Sequence, residues 1–300
     1  MENKEITPHP ETILVPVDYS DCSVLACRYA AKIASKSKGR VFLFHAFYSP
    51  AFDMIELTGS LNTQQQLRED VTEKLIEGEQ EELNRFIDKI LTYKEFKNYN
   101  QSDISSALKP GLARDEIISY AHECGATMVI MGTRGAHKKN VSILGSITEH
   151  VIMKLKLPVI AIPEDYTFVG EENMRKLVYL TDFDESDFAS IKHLMQFTDL
   201  FQMSIYCIHL ASKEDKWESL KMEGLKEYFK SVYGKDSVQC QIIPQSINLL
   251  QTLDDFAVAN RINLIALTHR KRKLIEMVFK PSVTKKIFYH TNIPLMVFHE

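Results

Sequence analysis

A glycine-rich segment with a hydroxyl side chain beside it occupies residues 131–151. Gly132, Gly135 and Gly145 interrupt a stretch that begins as an apolar run and ends as a helical pattern, and Ser146 follows Gly145 directly. Glycine permits tight turns and lets a ligand approach main-chain N–H groups closely. The free N–H groups at the start of a helix attract anions. The segment therefore predicts a cradle for a phosphate group.

Apolar runs of strand length surround this segment, and helical patterns alternate with them. The runs are apolar at successive positions and rich in β-branched residues, as in strands covered on both faces; they are Ile13–Val17, Val41–Phe44, Met128–Met131 and Val159–Ile162. The helical patterns cover Asp21–Lys36, Val71–Leu91 and Arg114–Cys124. This alternation predicts an α/β fold, an open parallel sheet with helices on both faces. Ligands of such sheets bind beyond the carboxyl ends of the strands, where Gly132 lies.

Residues suited to helix ends flank the predicted helices. Ser20 can cap the first helix, and Gly125 suits the end of the helix that stops near Cys124. Ser146 and Glu149 have the spacing of a capping box, with Ser146 as the cap. A capping box would satisfy the helix end without a ligand, so an alternative interpretation is that the glycines only mark turns.

The sequence contains the same unit twice. Residues 12–47 align without a gap with residues 176–211, so that Asp18 falls on Asp182 and His45 on His209. The ends of the halves also correspond, with Pro158 on Pro294. We predict two tandem domains, residues 1–163 and 176–300, joined by a polar linker at 164–175.

Composition excludes several classes of protein. The net charge of −4 gives no case for nucleic acid or an anionic membrane as a partner. The first residues are polar, without the apolar core of a signal peptide, and no apolar run is long enough to span a membrane. The five cysteines show no CxxC spacing and are typical of reduced thiols. We expect a cytoplasmic protein.

The glycine spacing resembles the ATP-binding signature of the universal stress protein family: Gly132-x2-Gly135-x9-Gly145-Ser146 matches it at every spaced position. The segments "ILVPVDYSD", "LKPGLARDEIISYAHECGATMVIMGTRG" and "GSITEHVIMKLKLPVIAIP" also resemble that family. The likeness extends over essentially the whole chain as two domains. It implies two open five-stranded parallel sheets of a Rossmann-like, adenine nucleotide alpha hydrolase-like fold. It also implies binding of ATP or another adenine nucleotide, with or without Mg²⁺.

The resemblance assigns roles to individual residues. It places Asp18 near the adenine or ribose, with Pro16, Val17 and Ala46 lining the same wall. On the phosphate side it places Met131, Gly132, Gly135, Gly145, Ser146, Ile147 and Thr148. Simpler roles stay open: Asp18 as a turn residue before Ser20, and Thr148 facing solvent. His45 is expected to be a strand-end histidine with a local hydrogen bond rather than a ligand.

The second copy departs from this pattern. Gly132, Gly135 and Gly145 are replaced by Thr268, Lys271 and Pro281, and only Ser282 remains of the signature. Side chains there obstruct close backbone approach, and proline removes an N–H donor. We predict that the second domain does not bind ATP as the family does. The basic run His269–Lys273 is either a solvated loop or an anion site built from side chains.

Catalytic motifs were not found in the sequence, which has neither a GxxxxGK[ST] phosphate loop nor a GxSxG elbow. We therefore expect a nucleotide-binding regulatory protein of the stress response, not an enzyme, although sequence leaves slow hydrolysis open. The alternative is a protein-interaction module of the same fold that binds no nucleotide. The last strands, Val159–Ile162 and Leu295–Phe298, are expected to join the domains as an intramolecular pseudo-dimer, and a homodimer and an unknown protein partner are compatible with this.

Overall fold

A computed structural model describes the chain at residues 11–48, 62–99, 103–134, 145–168, 174–211, 215–244, 249–269 and 293–299, without the side chains of 62–72 and 249–250. The chain forms two compact units, Met1–Met131 and Gly132–Glu300. The predicted linker at residues 164–175 stays a prediction. Among the described residues, no helix has the length and apolar character needed to cross a membrane.

The first unit alternates strands and helices. Its elements are β1 (Thr12–Pro16), α1 (Asp21–Ser37), β2 (Arg40–Phe47), α2 (Asn62–Leu91), a short 3-10 helix (Lys94–Phe96), β3 (Ser105–Pro110), α3 (Ala113–Glu123) and β4 (Met128–Gly132). Gly132, the last residue of β4, is the first residue of the second unit. The strand order is β3-β2-β1-β4, and all the pairings are parallel.

The second unit contains the rest of the chain. Its elements are α4 (Ser146–Lys154), β5 (Val159–Ile162), β6 (Lys176–Leu180), α5 (Glu185–Phe201), β7 (Ser204–Ala211), α6 (Lys216–Tyr233), β8 (Gln239–Pro244), α7 (Leu249–Asn260), β9 (Leu264–His269) and β10 (Leu295–His299). The strand order is β5-β10-β9-β6-β7-β8. All the neighbours are parallel except β5 and β10.

The predicted α/β fold with a mostly parallel sheet is confirmed. β1 and β5 are buried at every position, as their unbroken apolar runs predict. Sequence analysis missed β3, because its sequence SSALKP is polar and it lies at the end of the strand order, where its residues are exposed or half-buried. The alternation of strands and helices was sufficient to predict the architecture.

The strands expected to pair at the ends of the two copies do so within the second unit. β5 and β10 are antiparallel, with Ala161 opposite Leu295 and Val159 opposite Val297. Pairing covers the main-chain N–H and C=O groups of strands that would otherwise be open edges. That this ladder joins whole domains as a pseudo-dimer stays a prediction.

Helix α1 has a defined polar group at each end. Ser20 is its N-cap, as predicted, and the Ser20 side chain accepts a hydrogen bond from the N–H of Ser23. At the other end, Lys38 adopts the left-handed conformation, with φ of 55°, and its N–H donates to the carbonyl of Ala34. A side chain with a Cβ is strained in this conformation, which favours glycine.

We predict that Lys38→Gly stabilises the protein. Glycine removes the Cβ strain at the helix end and should raise the free energy of unfolding by up to about 1 kcal/mol. The matched control is Lys36→Gly, since Lys36 is also exposed but lies within α1, where glycine should cost about 1 kcal/mol. Urea unfolding checks both variants. Equal effects of the two substitutions would contradict the prediction.

Candidate functional site

The carboxyl ends of β1 and β2 form one side of the candidate site in the first unit. The Val17 N–H donates to the Phe44 carbonyl at 2.8 Å, which extends the pairing of β1 with β2 beyond Pro16. Pro16 and Val17 are buried, and Ala46 is half-buried near the end of β2. Met131, toward the end of β4, is 5% exposed. Pro16, Val17 and Ala46 therefore supply mostly apolar surface around the strand ends.

Asp18 follows this strand end and organises the turn into α1. Its Oδ1 accepts hydrogen bonds from the hydroxyls of Ser20 at 2.5 Å and Ser23 at 2.6 Å. The Ser20 N–H also donates to Oδ1, at 3.2 Å. The structure thus gives Asp18 a turn role through one carboxylate oxygen. Its predicted role beside adenine or ribose stays a prediction.

An aromatic and charged cluster lies next to this turn, and sequence analysis identified only its histidine. The Nδ1 of His45 is 2.6 Å from the Val17 carbonyl oxygen, which confirms the expected local hydrogen bond. Its Nε2 lies 3.5 Å from a carboxylate oxygen of Glu79 on α2. Tyr19, with φ of 65°, stacks on the His45 ring at 4.4 Å. Burial, and then the charges of Glu79 and Glu82, raise the pKa of the Tyr19 hydroxyl.

In the second unit, two hydrogen bonds hold the start of α4 against Gly132 and Thr133. The hydroxyl of Thr148 donates to the Gly132 carbonyl at 2.8 Å, and the Gly145 N–H donates to the Thr133 carbonyl at 2.6 Å. The Thr148 side chain is 3% exposed, so it does not face solvent. Its hydroxyl proton is used by Gly132, and Thr148 therefore has its main-chain N–H, not its hydroxyl proton, to offer an anion.

The predicted capping box at this helix is wrong. The N-cap of α4 is Gly145, with φ of −64° and ψ of 148°, and no side chain caps it. Ser146 is the first helical residue, so Glu149 lies one position too far along for a box, and its N–H donates to the Gly145 carbonyl at 2.9 Å. Ser146 and Ile147 are exposed. The N-cap of this helix is therefore a residue without a side chain, and a helix start of this kind suits an anion.

Several predicted site residues lie outside the described part of the chain. One of them is Gly135 of the glycine signature. Another is Lys271, which corresponds to Gly135 in the second copy. The same holds for Pro281, Ser282 and residues 270–273 of the basic run. The phosphate-side residues that the structure describes in the second unit are Gly132, Gly145, Ser146, Ile147 and Thr148.

A buried polar network lies in the second copy at positions that correspond to the first copy's candidate site. Tyr179, Thr181, Asp187 and Thr268 are each less than a tenth exposed. The Tyr179 hydroxyl contacts Asp187 Oδ1 at 2.8 Å and the Thr268 hydroxyl at 2.7 Å. Thr181 donates to Asp187 Oδ2 at 2.6 Å. In the alignment Thr268 replaces Gly132, Tyr179 replaces Val15 and Asp187 replaces Ser23.

The proton directions in this network follow from the acceptor at its centre. Asp187 Oδ2 also accepts from the main-chain N–H groups of Asp182 and Asp184. A carboxylate with these donors accepts the Tyr179 proton, so the Thr268 hydroxyl must donate to the Tyr179 oxygen. Burial, and then the Asp187 charge, raise the pKa of Tyr179 well above its usual value. The network binds its own groups at the strand end, which supports the prediction that this copy does not bind ATP as the family does.

The histidine arrangement nevertheless occurs in both copies. His209 Nδ1 lies 2.7 Å from the Thr181 carbonyl oxygen, and Nε2 lies 3.4 Å from a carboxylate oxygen of Glu218 on α6. Phe183, with φ of 58°, packs on His209 at 4.5 Å between ring centroids. The counterparts in the first copy are His45 and Tyr19. This shared arrangement holds the turn after the first strand of each copy, and in the second copy it meets the polar network at Thr181.

Comparisons with known proteins point to one family. Residues 10–163 match the profile of the universal stress protein family. A universal stress protein of Methanocaldococcus jannaschii is 27% identical over 150 residues, which cover 50% of this chain and 80% of that protein. A second universal stress protein from the same organism is 25% identical over 157 residues, which cover 50% of this chain and 93% of that protein. The crystal structure of a universal stress protein from Archaeoglobus fulgidus superposes on this chain with a TM-score of 0.63 and 15% sequence identity. The superposition covers 96% of each chain and supports the fold.

We predict that Tyr179→Phe destabilises the protein by about 1–3 kcal/mol, because it leaves buried Asp187 and Thr268 groups without the hydroxyl that joins them. The control is Tyr228→Phe, which loses only a half-buried contact with the Tyr233 hydroxyl at 3.5 Å. Denaturant unfolding of both variants measures the difference. A cost no greater than that of the control would show that the network contributes little to stability.

Proposed function

Because the chain belongs to the universal stress protein family, we propose that it is a stress-response protein that binds an adenine nucleotide in its first copy of the repeated unit. The observation that carries this proposal is the N-cap of α4, which is Gly145 and makes no side-chain cap hydrogen bond. The positive end of the helix dipole and the first N–H groups of the helix favour an anion there. A nucleotide phosphate supplies that anion.

The glycine positions explain how a phosphate could approach so closely. A Cβ at Gly145 would lie 3.2 Å from the Thr133 carbonyl oxygen, so backbone already occupies one side of this residue. A larger side chain would have to extend over the exposed side, toward the start of the helix. The hydrogen bonds from Gly145 to Thr133 and from Thr148 to Gly132 support the same proposal, because they fix the helix start relative to the strand end.

The base and ribose are assigned to the ends of β1 and β2. Pro16 and Val17 offer apolar surface to a planar ring, and Ala46 is small enough to allow close contact. Asp18 Oδ1 accepts hydrogen bonds from the serines of the turn, and we assign to the Asp18 carboxylate a contact with a ribose hydroxyl or the adenine amino group. This assignment rests on the family resemblance together with the position of these residues.

We propose a regulatory role for the nucleotide, with ATP as a ligand that sets conformation or assembly in the cytoplasm. The partner would be another protein, and the β5–β10 ladder is the proposed basis of a pseudo-dimer of the two domains. Binding alone suffices for this role. Phosphoryl transfer would further require groups that position a nucleophile and stabilise the leaving oxygen.

The first test is a glycine substitution at the helix start. We predict that Gly145→Val weakens ATP binding at least about tenfold, because the branched side chain covers the first N–H groups of α4. The control is Gly224→Val on α6, where an added Cβ meets nothing within 4 Å. Calorimetric titration with ATP, with and without Mg²⁺, measures both variants, and circular dichroism checks that they fold.

Two results would contradict this prediction. Equal ATP affinity in the Gly145 and Gly224 variants would remove the phosphate site from α4. No binding by the folded wild-type protein would instead favour the protein-interaction module that uses no nucleotide.

A second test addresses catalysis. We predict that the protein incubated with ATP and Mg²⁺ releases phosphate no faster than a protein-free control, as expected of a regulatory binder. Chromatographic separation of ATP and ADP over several hours provides the measurement, with Gly145→Val as the comparison. Turnover that depends on Mg²⁺ and is lost in Gly145→Val would show instead that the site is an ATPase.

A further inference from the structure

Two histidines lie side by side at the carboxyl ends of β9 and β10 in the second unit. His269 is the last residue of β9 and His299 the last of β10, and the parallel register places them directly opposite each other. Their ring centroids are 5.3 Å apart and the rings are nearly perpendicular, at 82°. Side chains at paired positions of neighbouring strands point to the same face of the sheet. The strand register therefore brings the two imidazoles together.

The Nδ1 atoms of both rings are buried and have no hydrogen-bond partner among the residues that the structure describes. For His299 the tautomer follows from its other nitrogen, because Nε2 hydrogen-bonds to the Ile152 carbonyl oxygen and must carry a proton to do so. In the neutral ring Nδ1 then has a lone pair and no proton.

This is the state in which a histidine binds a metal ion. Metal-ligating histidines usually donate their other N–H to a carbonyl or carboxylate, which fixes the ring. The Ile152 carbonyl serves this purpose for His299. A buried lone pair with no donor loses hydration without compensation, and coordination of a cation would restore an interaction.

The spacing of the rings also fits a shared ion. Metal–nitrogen bonds of about 2.0–2.1 Å at a tetrahedral angle place the centroids of two imidazoles on one ion roughly 5 Å apart. The observed separation is 5.3 Å.

The pair is particular to the second copy. The alignment places Thr133 at the position of His269 and Pro163 at that of His299, and neither of these side chains is a metal ligand of this type. The repeated fold alone therefore does not require histidines here. His45 in the first copy corresponds to His209 in the second. Each has a carbonyl at Nδ1 and a carboxylate at Nε2, which is a different arrangement from that of His269 and His299.

We propose that His269 and His299 bind a divalent transition-metal ion such as Ni²⁺, Cu²⁺ or Zn²⁺ through their Nδ1 atoms. Imidazole nitrogen suits these ions. The described part of the chain contains no cluster of three or more histidine, cysteine or acidic groups able to hold a metal. Water or a small anion completes the coordination.

The test uses the full-length, untagged, nucleotide-free protein and titrates it with Ni²⁺ in a calorimeter. We expect roughly one high-affinity ion per chain. His269→Ala and His299→Ala should each weaken this binding at least about tenfold. The matched control is His193→Ala, because His193 is exposed and its ring lies 6.5 Å from that of Phe298, close to the pair but not part of it.

A measurement on the wild-type protein protects the test against a variant that fails to fold. Nitrogen-15 NMR of the imidazoles, titrated with diamagnetic Zn²⁺, should shift the Nδ1 resonance of His299 while Nε2 keeps its proton. Absence of saturable binding by the wild-type protein would overturn the proposal. So would equal Ni²⁺ affinity in His269→Ala, His299→Ala and His193→Ala, or coordination of Zn²⁺ by Nε2. Because ATP is absent throughout, these outcomes are independent of the proposed nucleotide site.

Discussion

The hydrogen bonds that tie the start of α4 to the end of β4 are the constraint on which the candidate site depends. Thr148 and Gly145 donate to the carbonyls of Gly132 and Thr133, respectively. These contacts use side-chain and backbone groups of the helix itself, and they orient the positive end of its dipole. A helix start held in this way can attract an anion, and its N-cap, Gly145, has no side chain that would occupy the first N–H groups.

In the second copy, side chains of the protein itself form hydrogen bonds at the strand end. Thr268 stands where the first copy has Gly132, and its hydroxyl joins a chain of hydrogen bonds through Tyr179 to Asp187. Buried polar groups are costly unless they are paired, so these side chains must be present together. The two copies keep the same histidine arrangement at the turn, yet differ in the groups that could meet a phosphate. Repetition of the fold therefore does not imply that the same chemical groups lie at the strand ends.

The sequence was sufficient to predict those elements whose structure a local pattern determines. Unbroken apolar runs predicted β1 and β5, and the serine before α1 predicted its cap. It failed where the outcome depends on the exact helix start or on distant partners. The spacing of Ser146 and Glu149 fits a capping box, but the helix begins at Ser146, one residue earlier than the box requires, and its N-cap is Gly145. The contact of His45 with Glu79 joins residues far apart in the chain, and no local spacing predicts it.

The central claim is that one copy of the repeat binds an adenine nucleotide and the other does not. Native mass spectrometry of the folded chain, titrated with ATP until saturation, tests it most directly because it counts ligands on each molecule. The account predicts a single saturating mass increment of one ATP per chain, absent in Gly145→Val. Two saturating increments would contradict the assigned difference between the copies, and no increment would contradict the nucleotide site itself.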